Sequence, residues 1–260
     1  MTSIQVILAI VSGGIVGFVL GLLGGGGSIL ATPLLLYVVG IQDPHVVIGT
    51  SAFAVSVNAY ANFIPHAKAG HVRWKTAVYF AILGAIGAFF GSFVGKLIPG
   101  KQLLFLFAVF MIVMAVRMAM PKKKKEETGD AGDQVHLLRV VVIALLVGVL
   151  SGFFGIGGGF LIVPGLIFAT KMPMIAAIGS SLLSVGTFGL TTAANYSLSG
   201  LVNWWVVIEF VGGGIIGGIA GVFLANRLSK QQRALNYLFS GVVMAVAIYM
   251  LFINAEALNL

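Results

Sequence analysis

Two stretches of this chain combine the residue types that hold a small anion without a charged side chain. Residues 21–33 read GLLGGGGSILATP and residues 152–164 read GFFGIGGGFLIVP. In register, Gly21 falls on Gly152, Gly24 on Gly155, Gly26 on Gly157, Gly27 on Gly158 and Pro33 on Pro164. Glycine costs about 1 kcal/mol relative to alanine inside a helix. Clusters this dense therefore predict a helix that breaks and restarts as a short one. A helix start carries unpaired N–H groups and roughly half a positive charge, which binds an anion directly. The expected backbone ligands are Gly25, Gly26, Gly27 and Ser28 in the first cluster and Gly157, Gly158 and Gly159 in the second. Close helix packing is the other use of such glycines, but it does not explain four in a row.

Hydroxyl and amide groups supply the remaining donors. The apolar run 45–64 contains Thr50, Ser51, Ser56, Asn58 and Asn62, and the run 174–196 contains Ser180, Ser181, Ser184, Thr187, Thr191, Thr192 and Asn195. Ile48-Gly49-x-Ser51 repeats as Ile178-Gly179-x-Ser181. Thr50 with Ser51 and Ser180 with Ser181 thus hold equivalent places and rank first as substrate ligands. Asn58, Asn62 and Asn195 follow, although an Asn in a spanning helix also serves as helix–helix glue.

Titratable groups inside the apolar runs are few. A carboxylate within a span is a functional candidate, which makes Glu209 the candidate for proton coupling. Trp204 and Trp205 beside it mark an interface, where a solvated Glu is ordinary. His66 and His71 fall in the basic stretch PHAKAGHVRWK, read as a solvated loop that titrates near neutral pH. Neither glycine cluster completes GxGxxG, since Ile29 and Phe160 stand where the third glycine belongs, and no Walker or HExxH pattern occurs. Four scattered histidines and no cysteine give no metal site, disulfide or thiol nucleophile. No cofactor, metal or enzymatic activity is expected.

The elements that position these groups are membrane helices. Hydrophobic residues make up 59% of the chain and charged residues 8%, and mean hydropathy is +1.10. Apolar runs long enough to cross a core of about 30 Å recur throughout. The fold class is an all-α polytopic membrane protein. Its net charge of +8 sits largely in short inter-helix segments, where it reads as topology signal and membrane-lipid contact rather than a nucleic-acid footprint. The expected spans are 4–23, 45–64, 74–98 and 102–119, then 137–155, 174–196, 202–227 and 232–253. Short segments at 28–40 and 159–170 follow the two breaks. The hydrophilic stretch 120–136, MPKKKKEETGDAGDQVH, separates an N-terminal repeat (1–119) from a C-terminal one (137–260).

Gly70, Val72 and Trp74 recur as Gly200, Val202 and Trp204, and Gly84, Gly87 and Gly91 as Gly214, Gly217 and Gly221, all at an offset of 130 positions. This is an internal duplication. If the short segments cross, each half has five crossings and the second is inverted. The clusters at 68–75, 122–125 and 227–233 then share the cytoplasmic side with the linker. If the segments are re-entrant, the halves run parallel. The positive-inside rule favours the inverted arrangement.

These hinges with their following prolines, the IGTS and IGSS segments and the duplicated layout resemble the TauE/SafE sulfite exporter family over nearly the whole chain. The resemblance implies a multi-pass transporter of a prokaryotic cytoplasmic membrane, moving a sulfur-containing anion such as sulfite, thiosulfate, sulfoacetate or an organosulfonate. Its hinge motif corresponds here to 24–28 and 155–159. Alternating access of the two halves, coupled to H+ or Na+, is the expected mechanism. A transporter or channel for another small anion or a carboxylate is the alternative. The glycine faces permit a homodimer without requiring one.

Overall fold

The computed structural model describes residues 2–120, 137–155, 159–227 and 232–255. Among them the chain is helical, with no strand. In a hydrocarbon layer each backbone N–H and C=O must be paired within the protein, and helices do this within one segment. The order is α1 (Ser3–Leu23), a 3-10 stretch (Gly24–Leu30), one α turn α2 (Ala31–Pro33) and a π stretch (Leu34–Val38). Then follow α3 (Pro44–Lys68), α4 (Trp74–Leu97), α5 (Gly100–Ala119), α6 (Leu137–Phe154), α7 (Gly159–Thr170), α8 (Met174–Ser197), α9 (Trp204–Arg227) and α10 (Gln232–Ala255).

Among the described residues, six helical stretches are long and apolar enough to span a bilayer. The surface is inverted relative to a soluble protein: Ile7, Phe90, Ile216 and Ile219 are 60–72% exposed, whereas Ser28, Thr50, Asn58, Ser180 and Ser181 are fully buried. The chain is a multi-pass membrane protein.

Helix starts follow local chemistry. Thr2 and Gln5 form a capping box on α1, and Asp43 caps α3 ahead of Pro44. The helices of the two halves interleave: α1 packs along α9, and α4 packs along α6. Small residues make this approach possible. A Cβ on Gly13, Gly17 or Gly21 would run into the main chain of α9 at Phe210, Gly214 or Gly218, and Gly148 and Gly152 meet α4 at Gly84 and Ala88 in the same way.

Two expectations change. The first glycine cluster is wound into 3-10 helix, in which N–H groups bond three residues back. It therefore leaves fewer free amides than an unwound hinge would. Second, α3 does not stop before Pro65 but carries it in its last turn and ends at Lys68. His66 is consequently a helix residue and only 2% exposed, not part of a solvated loop. Gly157, Gly158 and the linker from 121 to 136 lie outside the described residues.

Candidate functional site

The starts of α3 and α8 hold the repeated Ile-Gly-x-Ser motif, and the fold gives both the same surroundings. Thr50 Oγ1 accepts the N–H of Asn203 at 2.9 Å, and Ser180 Oγ accepts the N–H of Arg73 at 3.0 Å. Each hydroxyl thus ties the start of one polar helix to the segment that follows the other. It follows that α3 and α8 cross antiparallel. Ser56 Oγ donates to the carbonyl of Gly186, its own counterpart in the repeat, at the crossing point. Gly49 packs on Leu201 and Gly179 on His71, so the two ends of the crossing are matched.

The neighbouring serines turn toward the hinges. Ser181 Oγ donates to Ile178 O at 2.8 Å and lies 3.3 Å from where a Cβ of Gly24 would stand. Ser51 Oγ donates to Ile48 O at 3.0 Å and shares a 3.3 Å hydrogen bond with Thr32 Oγ1. Both hinges turn through left-handed glycines at matched positions, Gly24 with φ +70° and Gly155 with φ +66°. A side chain at Gly24 would meet Ile178, and one at Gly155 would meet Ile48. Each hinge is therefore seated on the polar helix of the opposite half.

The hinges also meet each other. The backbones of Gly25 and Gly159 are so close that a Cβ on either would overlap the other's main chain. Ser28 Oγ donates to Gly25 O at 2.9 Å and fastens the first hinge internally. Gly26 and Gly27 are buried beside it.

Among the asparagines, Asn58 is the most telling. It is fully buried, and neither its Oδ1 nor its Nδ2 has a hydrogen-bond partner. Its side chain fills the space that a Cβ at Gly214 would need. Asn62, one turn on, donates to Asn58 O at 3.0 Å, and its Oδ1 lies against Gly21 and Gly218. Asn195 is engaged elsewhere, donating to Ser92 Oγ at 2.8 Å and accepting from Lys96 Nζ at 2.7 Å. It stands 14 residues beyond Ser181, about 21 Å along α8, and the structure does not bring it to the hinges. Glu209 is half-buried, with Oε2 buried and unpartnered. Trp204 and Trp205, at the start of α9, are 50% and 74% exposed.

Sequence reasoning left four polar residues out of its ranked ligands: Thr32, Ser184, Thr192 and His66. Thr32 joins Ser51 from just beyond the first hinge. Thr192, the counterpart of Asn62, and Ser184 are fully buried with free hydroxyls. His66 completes the helical series Asn58, Asn62, His66, a four-residue spacing visible in the sequence but masked by reading Pro65 as a helix end. Among the described residues no group of three or more His, Asp or Glu side chains is placed to hold a metal. The arrangement places neutral hydroxyl and amide groups and glycine backbone around a buried crossing.

Comparison with known proteins adds the family. Residues 9–250 match the model for "Sulfite exporter TauE/SafE". The chain is 56% identical over 255 residues to a probable membrane transporter protein of Xylella fastidiosa, covering 96% of this chain and 97% of that protein. It is 27% identical over 246 residues to a probable membrane transporter protein of Bacillus subtilis, covering 86% and 90%. An Arabidopsis thaliana protein named sulfite exporter TauE/SafE family protein 1 is 32% identical over 128 residues, 48% of this chain and 28% of that protein. No solved structure matches.

Proposed function

The chain belongs to the sulfite exporter TauE/SafE family, and we propose that it is a secondary transporter that moves a small sulfur-containing anion across a prokaryotic cytoplasmic membrane by alternating access. The observation that supports this reading best is the meeting of the two hinges at Gly25 and Gly159, each seated on the opposite half. Interrupted helices in corresponding places of two repeats are where transporters of this build hold cargo. In this reading the cargo site comprises the 24–28 hinge backbone and Gly159 with Ser51, Ser181 and Asn58, and Thr50, Ser180 and Asn62 form its walls.

The repeats are inverted in this reading. The antiparallel crossing of α3 and α8 supports it, as does the hydrogen bond from Gln5 Nε2 to Val39 O at 3.3 Å. That bond returns the end of the short segment to the start of α1, as a crossing segment requires. Alternating access is then a rocking of α1 with α9 against α4 with α6 about the crossing.

The test is ligand-induced thermal stabilisation of the purified protein with sulfite, thiosulfate, sulfoacetate, taurine, sulfate and acetate at matched ionic strength. A ligand at 100 times its Kd adds about 2.7 kcal/mol. Selective stabilisation by one or more sulfur anions is expected. Stabilisation by acetate alone would move the assignment to carboxylates.

A further inference from the structure

The duplication makes one asymmetry conspicuous. On α3 the buried series toward the end of the helix is Asn58, Asn62, His66, followed by His71 in the connection to α4. At the equivalent positions α8 has Phe188, Thr192 and Tyr196, followed by Leu201. One end of the crossing thus carries two imidazoles where the other carries a phenol and an isobutyl group. His66 Nδ1 and His71 Nδ1 are 3.4 Å apart. His66 is 2% exposed, and its Nε2 is buried without a partner. The backbone of Gly21 lies beside the His66 ring, three residues before the left-handed turn at Gly24. His71 packs on Gly179, two residues before Ser181. The pair therefore lies against α1 and α8, the two helices that flank the turn at Gly24.

We propose that His66 and His71 form the proton site that couples transport to a proton gradient, taking up one proton together with the anion at the adjoining hinge. This rests on the transporter reading above. Two neutral imidazoles facing through Nδ1 share one N–H, donor on one ring and acceptor on the other. A proton from solution enters at Nε2 of the more exposed His71. His71 passes its Nδ1 proton to Nδ1 of His66, which becomes the imidazolium while His71 returns to neutral. The N–H at His66 Nε2 then faces the buried polar series, and one positive charge has moved inward with no other group altered.

The surroundings favour pairing that charge with an anion. Lys68 at the end of α3, Arg73 in the connection and Lys75 at the start of α4 are exposed cations. Neither α1 nor the start of α8 carries a titratable group, and Glu209 stands nine residues before Gly218, about 13 Å along α9. Among the described residues the charged side chains flanking the pair in sequence are these cations, so a proton on the pair is opposed until an anion arrives. The two ligands then favour each other reciprocally.

The test combines two measurements on the full chain in lipid, with His66→Gln, His71→Gln, His45→Gln and Glu209→Gln variants checked for folding by gel filtration. The first follows histidine nitrogen resonances from about pH 5 to pH 8, the range in which imidazoles change charge. His66 is expected to titrate, and His71→Gln to shift its midpoint while His45→Gln leaves it in place. This arm needs no cargo, and a His66 that keeps one protonation state throughout overturns the proposal. The second measures Kd for thiosulfate and sulfoacetate at about pH 6 and pH 8. Affinity is expected to rise toward low pH, by at most about tenfold per pH unit for one linked proton. His66→Gln should bind without this dependence, and Glu209→Gln should keep it. The reverse pattern, with dependence kept in His66→Gln and lost in Glu209→Gln, overturns the proposal. If neither anion binds the wild type, the cargo assignment fails and the titration arm alone decides the proton site.

Discussion

A buried amide that uses neither its donor nor its acceptor costs about 1–3 kcal/mol per unsatisfied group, and Asn58 carries that cost at full burial. A purely structural position would be better served by an apolar side chain of the same size. Asn58→Leu is therefore expected to match or exceed the wild type in thermal stability while losing transport. Loss of both stability and transport would make Asn58 a packing residue. The serines separate in the same way. Ser51 and Ser181 bond within their own turns and toward the hinges, so the Ser51→Ala/Ser181→Ala double variant should reach the membrane in normal amounts and transport poorly. Normal flux would remove both from the site. Thr50 and Ser180, tied to the main chain of the opposite half, should instead cost stability when replaced by alanine, by about 1 kcal/mol each. Nothing in the sequence separates Thr50 from Ser51, because both are small hydroxyls one residue apart. Only the crossing of α3 and α8 decides which one meets Asn203.

The helical elements were legible where composition alone forms them. Ten apolar runs stand between polar breaks, and the breaks fall within a few residues of the observed ends. The exceptions have physical causes. Proline removes a donor and usually closes a helix, yet Pro65 sits in the final turn of α3, and that one turn converts His66 from a loop residue to a buried one. The first glycine cluster was recognisable as an interruption but not as a 3-10 stretch, because glycine permits many conformations and packing chooses among them. The contact of Gly25 with Gly159 was invisible, since no local pattern shows which two backbones meet. It gives a direct test at this scale. Gly25→Ala and Gly159→Ala each place a methyl in the opposite main chain and should destabilise the protein by about 1–3 kcal/mol, measured as a fall in Tm. An unchanged Tm in both variants would place the hinges apart.

At the scale of the molecule, the internal repeat reappears as paired contacts: Gly24 on Ile178 with Gly155 on Ile48, and Thr50 to Asn203 with Ser180 to Arg73. The duplication could be read from the sequence because glycines and polar residues recur in one register. The side chains that break the symmetry, Asn58 against Phe188 and His66 against Tyr196, acquire meaning only once the two halves are superimposed in space. Inverted repeats require the connections after α3 and after α8 to lie on opposite faces of the membrane. The chain has no cysteine, so Ala69→Cys and Leu198→Cys can be labelled singly in sealed vesicles with an impermeant thiol reagent. One is expected to react only from outside and the other only after permeabilisation, and labelling of both from the same side would make the halves parallel. The central claim is transport itself, and exchange of labelled thiosulfate, sulfoacetate, taurine and sulfite across proteoliposomes measures it most directly. Saturable counterflow of at least one of these sulfur compounds, lost in the Ser51→Ala/Ser181→Ala variant, is predicted. Conductance without saturable exchange, or exchange confined to anions without sulfur, would contradict it.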